Sequence, residues 1–172
     1  MSLPPFEHVV LDHSRVVLRV CRALLPPDDA QDAAAEAFLS ALRAYPRLRP
    51  DSDVRAWLVT IAHRKALDVL RSRARAAVPV AEVPDRGTGP HDPLPDTDLW
   101  DVVRALPEKQ REAVAFRYLA DLPYAEVATL MGTSEAAARR NAADAVKTLR
   151  RRYRVPAEPR AIGGPATQRE GR

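Results

Sequence analysis

The side chains best placed to do chemistry in this chain are cations rather than nucleophiles. In "GTSEAAARRNAADAVKTLRRR", residues 132–152, Arg139 and Arg140 follow a run of Ala, and Lys147, Arg150, Arg151 and Arg152 come after, with Arg154 just beyond. Guanidinium groups near the start of a helix can pair with guanine edges or with phosphates, and small neighbours let the helix approach a groove closely. The later cations suit backbone phosphates, which supply salt-dependent affinity rather than specificity. A second cluster, Arg64, Lys65, Arg71, Arg73 and Arg75, follows Trp57 on one expected helix. An aromatic ring beside a basic face can hold unstacked single-stranded bases, although the apolar periodicity of Trp57 favours a place in the core. Basic helix ends also occur as solvated faces that complement the helix dipole, and the residues alone leave both readings open.

Catalytic constellations find little support. Asp29, Asp32 and Glu36 share one helix face, but a carboxylate-bundle metal site needs a Glu-x-x-His partner on facing helices, which is missing. A solvated or protein-docking acidic face is the better reading. Cys21 could pair with a His as a nucleophile, yet a lone Cys on an apolar helix side reads as packing. A single Cys forbids an internal disulfide and a Cys-based zinc site, and no Gly-rich phosphate loop is present. Neither an enzyme nor a cofactor is expected.

These side chains must be carried by helices. Of 172 residues, 46% are hydrophobic, 29% are charged and only six are Gly, a soluble and helix-favouring composition. No apolar run approaches the roughly 18–20 residues of a membrane span, and "MSLPPFEHVV" lacks a signal-peptide pattern, so a cytoplasmic protein without membrane insertion is expected. The net charge of +4 is unevenly spread. Lys and Arg outnumber Asp and Glu by 12 to 9 in residues 1–75 and by 11 to 7 in 99–155, but are outnumbered 1 to 5 in 76–98. Two basic blocks around an acidic connector point to a polyanion.

The connector, "PVAEVPDRGTGPHDPLPDT", cannot pack a core and reads as a flexible linker. The expected organisation is two small all-α domains, residues 1–76 and 98–155, with a linker at 77–97 and a disordered tail at 156–172. Phe6, Val9, Val10, Val16, Val17, Val20 and Leu24 mark a first helix over 6–25, ended by Pro26 and Pro27. Asp28 or Asp29 can cap a second helix, which stops at Pro46, and a third runs from Asp53 to about Arg75. Three such helices can bury one core. In the second domain Pro107 opens a helix, "LPYAEVATLM" restarts after Pro123, Gly132 turns the chain and Ser134 can cap the final helix. That is a helix-turn-helix, whose second helix enters the major groove. Ala138, Ala142, Ala145, Val146, Leu149 and Tyr153 form its inward stripe, leaving Ser134, Glu135, Arg139, Arg140 and Lys147 for DNA.

"DDAQDAAAEAFLSALRAYPRL" followed by "VRAWLVTIAHRKALDVLRSRAR" resembles region two of the extracytoplasmic-function (ECF) sigma factors of bacterial RNA polymerase. "LWDVVRALPEKQREAVAFRYLADLPYAEVATLMGTSEAAARRNAADAVKTLRRR" resembles their region four. The resemblance implies a specificity subunit that binds core RNA polymerase, recognises a −35 promoter element as duplex through region four and melts a −10 element through region two. It implies polymerase contacts at Asp32, Glu36, Phe38, Leu39 and Arg43, with the acidic linker lying in a polymerase channel. An anti-sigma factor is a typical partner of such proteins. Several positions depart from the family pattern. Ala33, Ala34 and Ala35 replace larger apolar residues and a Gln, and His63-Arg64 replaces an Arg-Asn pair whose Asn helps select a flipped −10 base. Ala137, Asn141 and Ala143-Asp144 replace a common Thr, Arg and His-Arg pair. The family's promoter preferences therefore do not carry over. Two other readings compete: a stand-alone helix-turn-helix regulator that needs no polymerase, and a protein-binding helical adaptor.

Overall fold

A computed structural model describes residues 3–76 and 97–152, the side chains of 97 and 98 excepted. Residues 77–96 of the expected linker, the tail, Tyr153 and Arg154 lie outside the described residues, whereas Thr97, expected to end the linker, begins a helix. Among the described residues every regular element is helical, in agreement with the all-α expectation. The first module holds α1 (Phe6–Leu24), α2 (Pro27–Ala44), a 3₁₀ turn (Tyr45–Arg47) and α3 (Val54–Ala76). The second holds α4 (Thr97–Arg104), α5 (Glu108–Val114), a π-helical turn (Ala115–Leu119), α6 (Tyr124–Met131) and α7 (Glu135–Arg152).

Local chemistry sets most of these boundaries. The Asp53 carboxylate accepts from the Ala56 amide at 2.9 Å and starts α3. The start of α2 differs from expectation: Pro26 holds the cap position and Pro27 the first turn, with no side-chain cap. Proline suits that turn because its missing N–H would be unpaired there anyway. Asp28 and Asp29 instead lie in the first turn, where their charge complements the helix dipole. At the end of α6, Gly132 turns left-handed at φ 60°, and the Thr133 amide donates to the Ala128 carbonyl at 3.0 Å. This closes a Schellman motif that tolerates little but glycine.

In the first module, α1, α2 and α3 pack in pairs. Small residues line the seam, since Ala30, Ala33, Ala34, Ala37 and Ala41 of α2 are buried against Val17, Val20, Leu58, Val59 and Ala62. Ala33 and Ala34 thus sit in a seam of small side chains. Phe6, Tyr45 and Trp57 form an aromatic chain at one end, with centroids 5.1 and 6.1 Å apart. Trp57 packs against the core, as its periodicity indicated. The burial of the second module does not stop at its boundary. Phe116, Leu122, Val127 and Met131 are fully or almost fully buried in one cluster that continues into α1 and α3.

Candidate nucleic-acid interface

The helix-turn-helix is built by α6 and α7. The Ser134 hydroxyl accepts from the Ala137 amide at 3.2 Å and caps α7. Ala138, Ala142 and Ala145 are completely buried, while Val146 and Leu149 are half-buried beside them. The opposite face is exposed and holds Glu135, Ala136, Arg139, Arg140, Ala143, Asp144 and Lys147.

Within this face Arg139 is held. Its guanidinium pairs with Glu135 one turn earlier and stacks over the Tyr124 ring, 4.5 Å from the centroid. Arg117, from the π-helical turn, also meets that ring, at 5.3 Å. Arg117 further donates to the Leu122 carbonyl at 3.2 Å and approaches Asp121 at 3.4 Å. Tyr124 is thus shared by two guanidinium groups at the edge of the exposed face of α7. Asn141 is turned back onto its own helix, donating to the Ala137 carbonyl at 2.9 Å. Arg140 and Lys147 project from α7 as exposed cations.

The expected single-strand surface on α3 lies partly against acidic side chains of α2. Lys65 approaches Glu36 at 3.8 Å, Arg73 pairs with Asp29, and Arg71 pairs with Asp68 of its own helix at 3.4 Å. Arg64, Arg71, Arg73 and Arg75 are exposed, and Lys65 is half-buried. On the outer face of α2, Asp32, Glu36, Leu39 and Arg43 are exposed, while Phe38 is half-buried against the core. Leu42 extends this face, so that two leucines about half exposed stand among charges. Among the described residues no cluster of His, Cys, Asp and Glu is arranged to hold a metal ion. Cys21 is buried, and burial pushes its thiol up to about 12, which leaves it a packing residue rather than a nucleophile.

Three features escape a reading of the sequence. Tyr124 and Arg139 are brought together only by the helix-turn-helix, and Arg117 reaches them only through the π-helical turn. Glu112 is the third. It is nearly fully buried and accepts from His63 Nε2 at 3.2 Å and from Lys109 Nζ at 2.9 Å. His63, whose only carboxylate nearby in sequence is Asp68, finds this acid in the other module. Burial alone would raise the Glu112 carboxyl. The two hydrogen bonds and the charges of Lys109 and His63 outweigh it and hold the group below the ordinary carboxylate range.

Comparison with known proteins agrees with this architecture. Residues 9–76 match the family described as Sigma-70 region 2, and residues 96–149 match Sigma-70, region 4. The chain is 37% identical over 131 residues to the ECF RNA polymerase sigma factor BldN of Streptomyces coelicolor, covering 71% of this chain and 50% of that protein. It thus spans half of BldN's length. It is 32% identical over 130 residues to the RNA polymerase sigma factor CarQ of Myxococcus xanthus, covering 70% of this chain and 72% of CarQ. In fold it is similar to the sigma factor RpoE of Bartonella quintana, solved in complex with the anti-sigma factor NepR. That likeness has a TM-score of 0.70 and 20% identity, and covers 85% of this chain and 94% of RpoE. Region two and region four occur here in the order in which α3 and α7 carry their basic faces, and the chain belongs to the ECF sigma factors of bacterial RNA polymerase.

Proposed function

We propose that this chain binds core RNA polymerase and directs promoter-specific initiation, reading a −35 element with α7 and opening a −10 element along α3. The reading rests above all on the exposed cations Arg139, Arg140 and Lys147, carried by a capped helix whose other side buries Ala138, Ala142 and Ala145. Arg139, steadied by Glu135 and Tyr124, and Arg140 contact base edges or phosphates, while Lys147 and the Arg150–Arg152 run hold the backbone. Ser134 sets the start of the reading helix. On α3, Arg64, Lys65, Arg71, Arg73 and Arg75 follow the single strand. Asp32, Glu36, Phe38, Leu39 and Arg43 form the polymerase contact on α2. The chain performs no catalysis of its own, since nucleotide addition belongs to the polymerase, and it acts in the cytoplasm. Among the described residues no helix is long and apolar enough to cross a membrane. An anti-sigma factor is a fitting regulatory partner, as for RpoE.

The test is run-off transcription with core polymerase on genomic promoter fragments. Specific transcripts are expected. The double variant Arg139→Ala, Arg140→Ala should lose promoter use, and its binding should depend on salt with a slope lower by about two. No initiation from any fragment, or an unchanged salt slope, would defeat the assignment.

A further inference from the structure

Arg139 and Arg140 are neighbours in sequence and both exposed, yet their surroundings differ. The Arg139 guanidinium pairs with Glu135 and stacks 4.5 Å from the centroid of the Tyr124 ring. That ring is itself fixed. Tyr124 opens α6 directly after Pro123 and packs, half-buried, against the core. A hydrogen bond with Tyr124 first, and burial after it, raise the Tyr118 phenol, so the outer end of the ring also has a partner. Arg117, on the same ring at 5.3 Å, is anchored by the Leu122 carbonyl. Arg140 has no such hold: among the described residues no hydrogen bond, ion pair or ring contact engages it.

The difference bears on what each cation can read. An arginine gives up much rotamer freedom on binding, and a side chain already held in place gives up less. A guanine edge offers two acceptors at one fixed position, and pairing with both needs a guanidinium delivered in one orientation. Phosphates line the whole backbone and tolerate a mobile cation. Glu135 accepts from Nη2 of Arg139 alone, which leaves the remaining N–H donors for a further partner. We propose that Tyr124 and Glu135 are positioning residues that make Arg139 the base reader of α7, facing one guanine of the −35 element, while Arg140 is a phosphate contact. The assignment rests on the reading of α7 as the −35 helix, and it divides between two neighbours a task that helix geometry alone leaves shared.

The test uses holoenzyme and a promoter duplex found by run-off transcription, with each base pair of its −35 element substituted in turn. Discrimination is the ratio of affinities for the parent and the substituted duplex, measured by fluorescence anisotropy, and the ratio does not depend on the fraction of chain that folds. At one G·C pair the native chain should discriminate by roughly five- to hundredfold, and Arg139→Ala should lose discrimination at that pair alone. Tyr124→Leu should lower the same ratio about two- to fivefold, the share expected of a guanidinium–ring contact at an exposed site. Tyr124→Phe keeps the ring and should keep the native ratio. Tyr124→Leu combined with Arg139→Ala should lose no more than Arg139→Ala. Arg140→Ala should weaken binding to every duplex alike. An unchanged ratio in Tyr124→Leu overturns the positioning role, as does a loss spread over several pairs, which would mean a shifted α7. Uniform weakening by Tyr124→Phe would make the hydroxyl a phosphate ligand and overturn it too. Discrimination lost in Arg140→Ala and kept in Arg139→Ala overturns the division between the two. A native chain with no preference at any pair defeats the −35 reading itself, whereas the other adverse outcomes leave that reading standing.

Discussion

Asp144 stands exposed on the outward face of α7 among Arg140, Ala143 and Lys147. Near a phosphate its carboxylate costs on the order of 1 kcal/mol, and salt screens it. Asp144→Asn should therefore tighten holoenzyme binding to duplex promoter DNA about fivefold at low salt, with the gain shrinking as salt rises. Fluorescence anisotropy across a salt series measures this, and an unchanged affinity would mean that Asp144 faces away from the backbone. At this scale the sequence is readable where partners are close along the chain. The four-residue step from Glu135 to Arg139 and the cap at Ser134 follow from helix geometry. His63 and Glu112 do not, because 49 residues separate them and neither lies in a pattern that announces burial. The pairing of Lys65 and Arg73 with acids of α2 is equally hidden, since it depends on how α2 and α3 turn towards each other.

Gly132 shows how much an element boundary can depend on one backbone angle. A Cβ placed there meets nothing within 4 Å, so a substitution costs only the left-handed conformation at φ 60°. Gly132→Ala should destabilise the chain by about 1 kcal/mol, lowering Tm by a few degrees in calorimetry. A loss of promoter reading beyond that of stability would show that the tilt of α7 had changed. Helix ends are legible because prolines and this glycine mark them: Pro26, Pro27, Pro107, Pro123 and Gly132 all fall at boundaries. The start of α2 misleads because Asp28 and Asp29 have capping chemistry, yet the preceding prolines already set the backbone. The π-helical turn Ala115–Leu119 is not legible at all. No proline or glycine marks residues 115–119, and the widened turn carries the Arg117 that meets the Tyr124 ring.

For the whole molecule, the sequence separates two modules by a Pro-rich stretch, and a division into matched regions 9–76 and 96–149 agrees with that. Their contact is not legible, because each module's apolar stripe looks complete by itself. An acid titration follows from the contact. Glu112 is held below its ordinary 4.5, so its stabilisation is complete above that value and is lost as pH falls through the lower folded one. Between about pH 6 and 3 the Tm of the native chain should therefore fall more steeply than that of Glu112→Gln, which has no charge to lose at this position. Parallel curves from differential scanning calorimetry would contradict the assignment.

The double duty of α1 also has a temporal side. It packs against α2 and α3, but also against α4, α5 and the π-helical turn, roughly a hundred residues later in the chain. Contacts of such sequence separation form late, after local ones. With synthesis at about 5–20 residues per second, the N-terminal bundle, complete at Ala76, waits on the order of 2–9 seconds for the segment ending at Leu119 that covers its remaining flank. During that interval the nascent chain displays an apolar strip that the finished protein conceals, and this is when it is most exposed to aggregation and to chaperone capture.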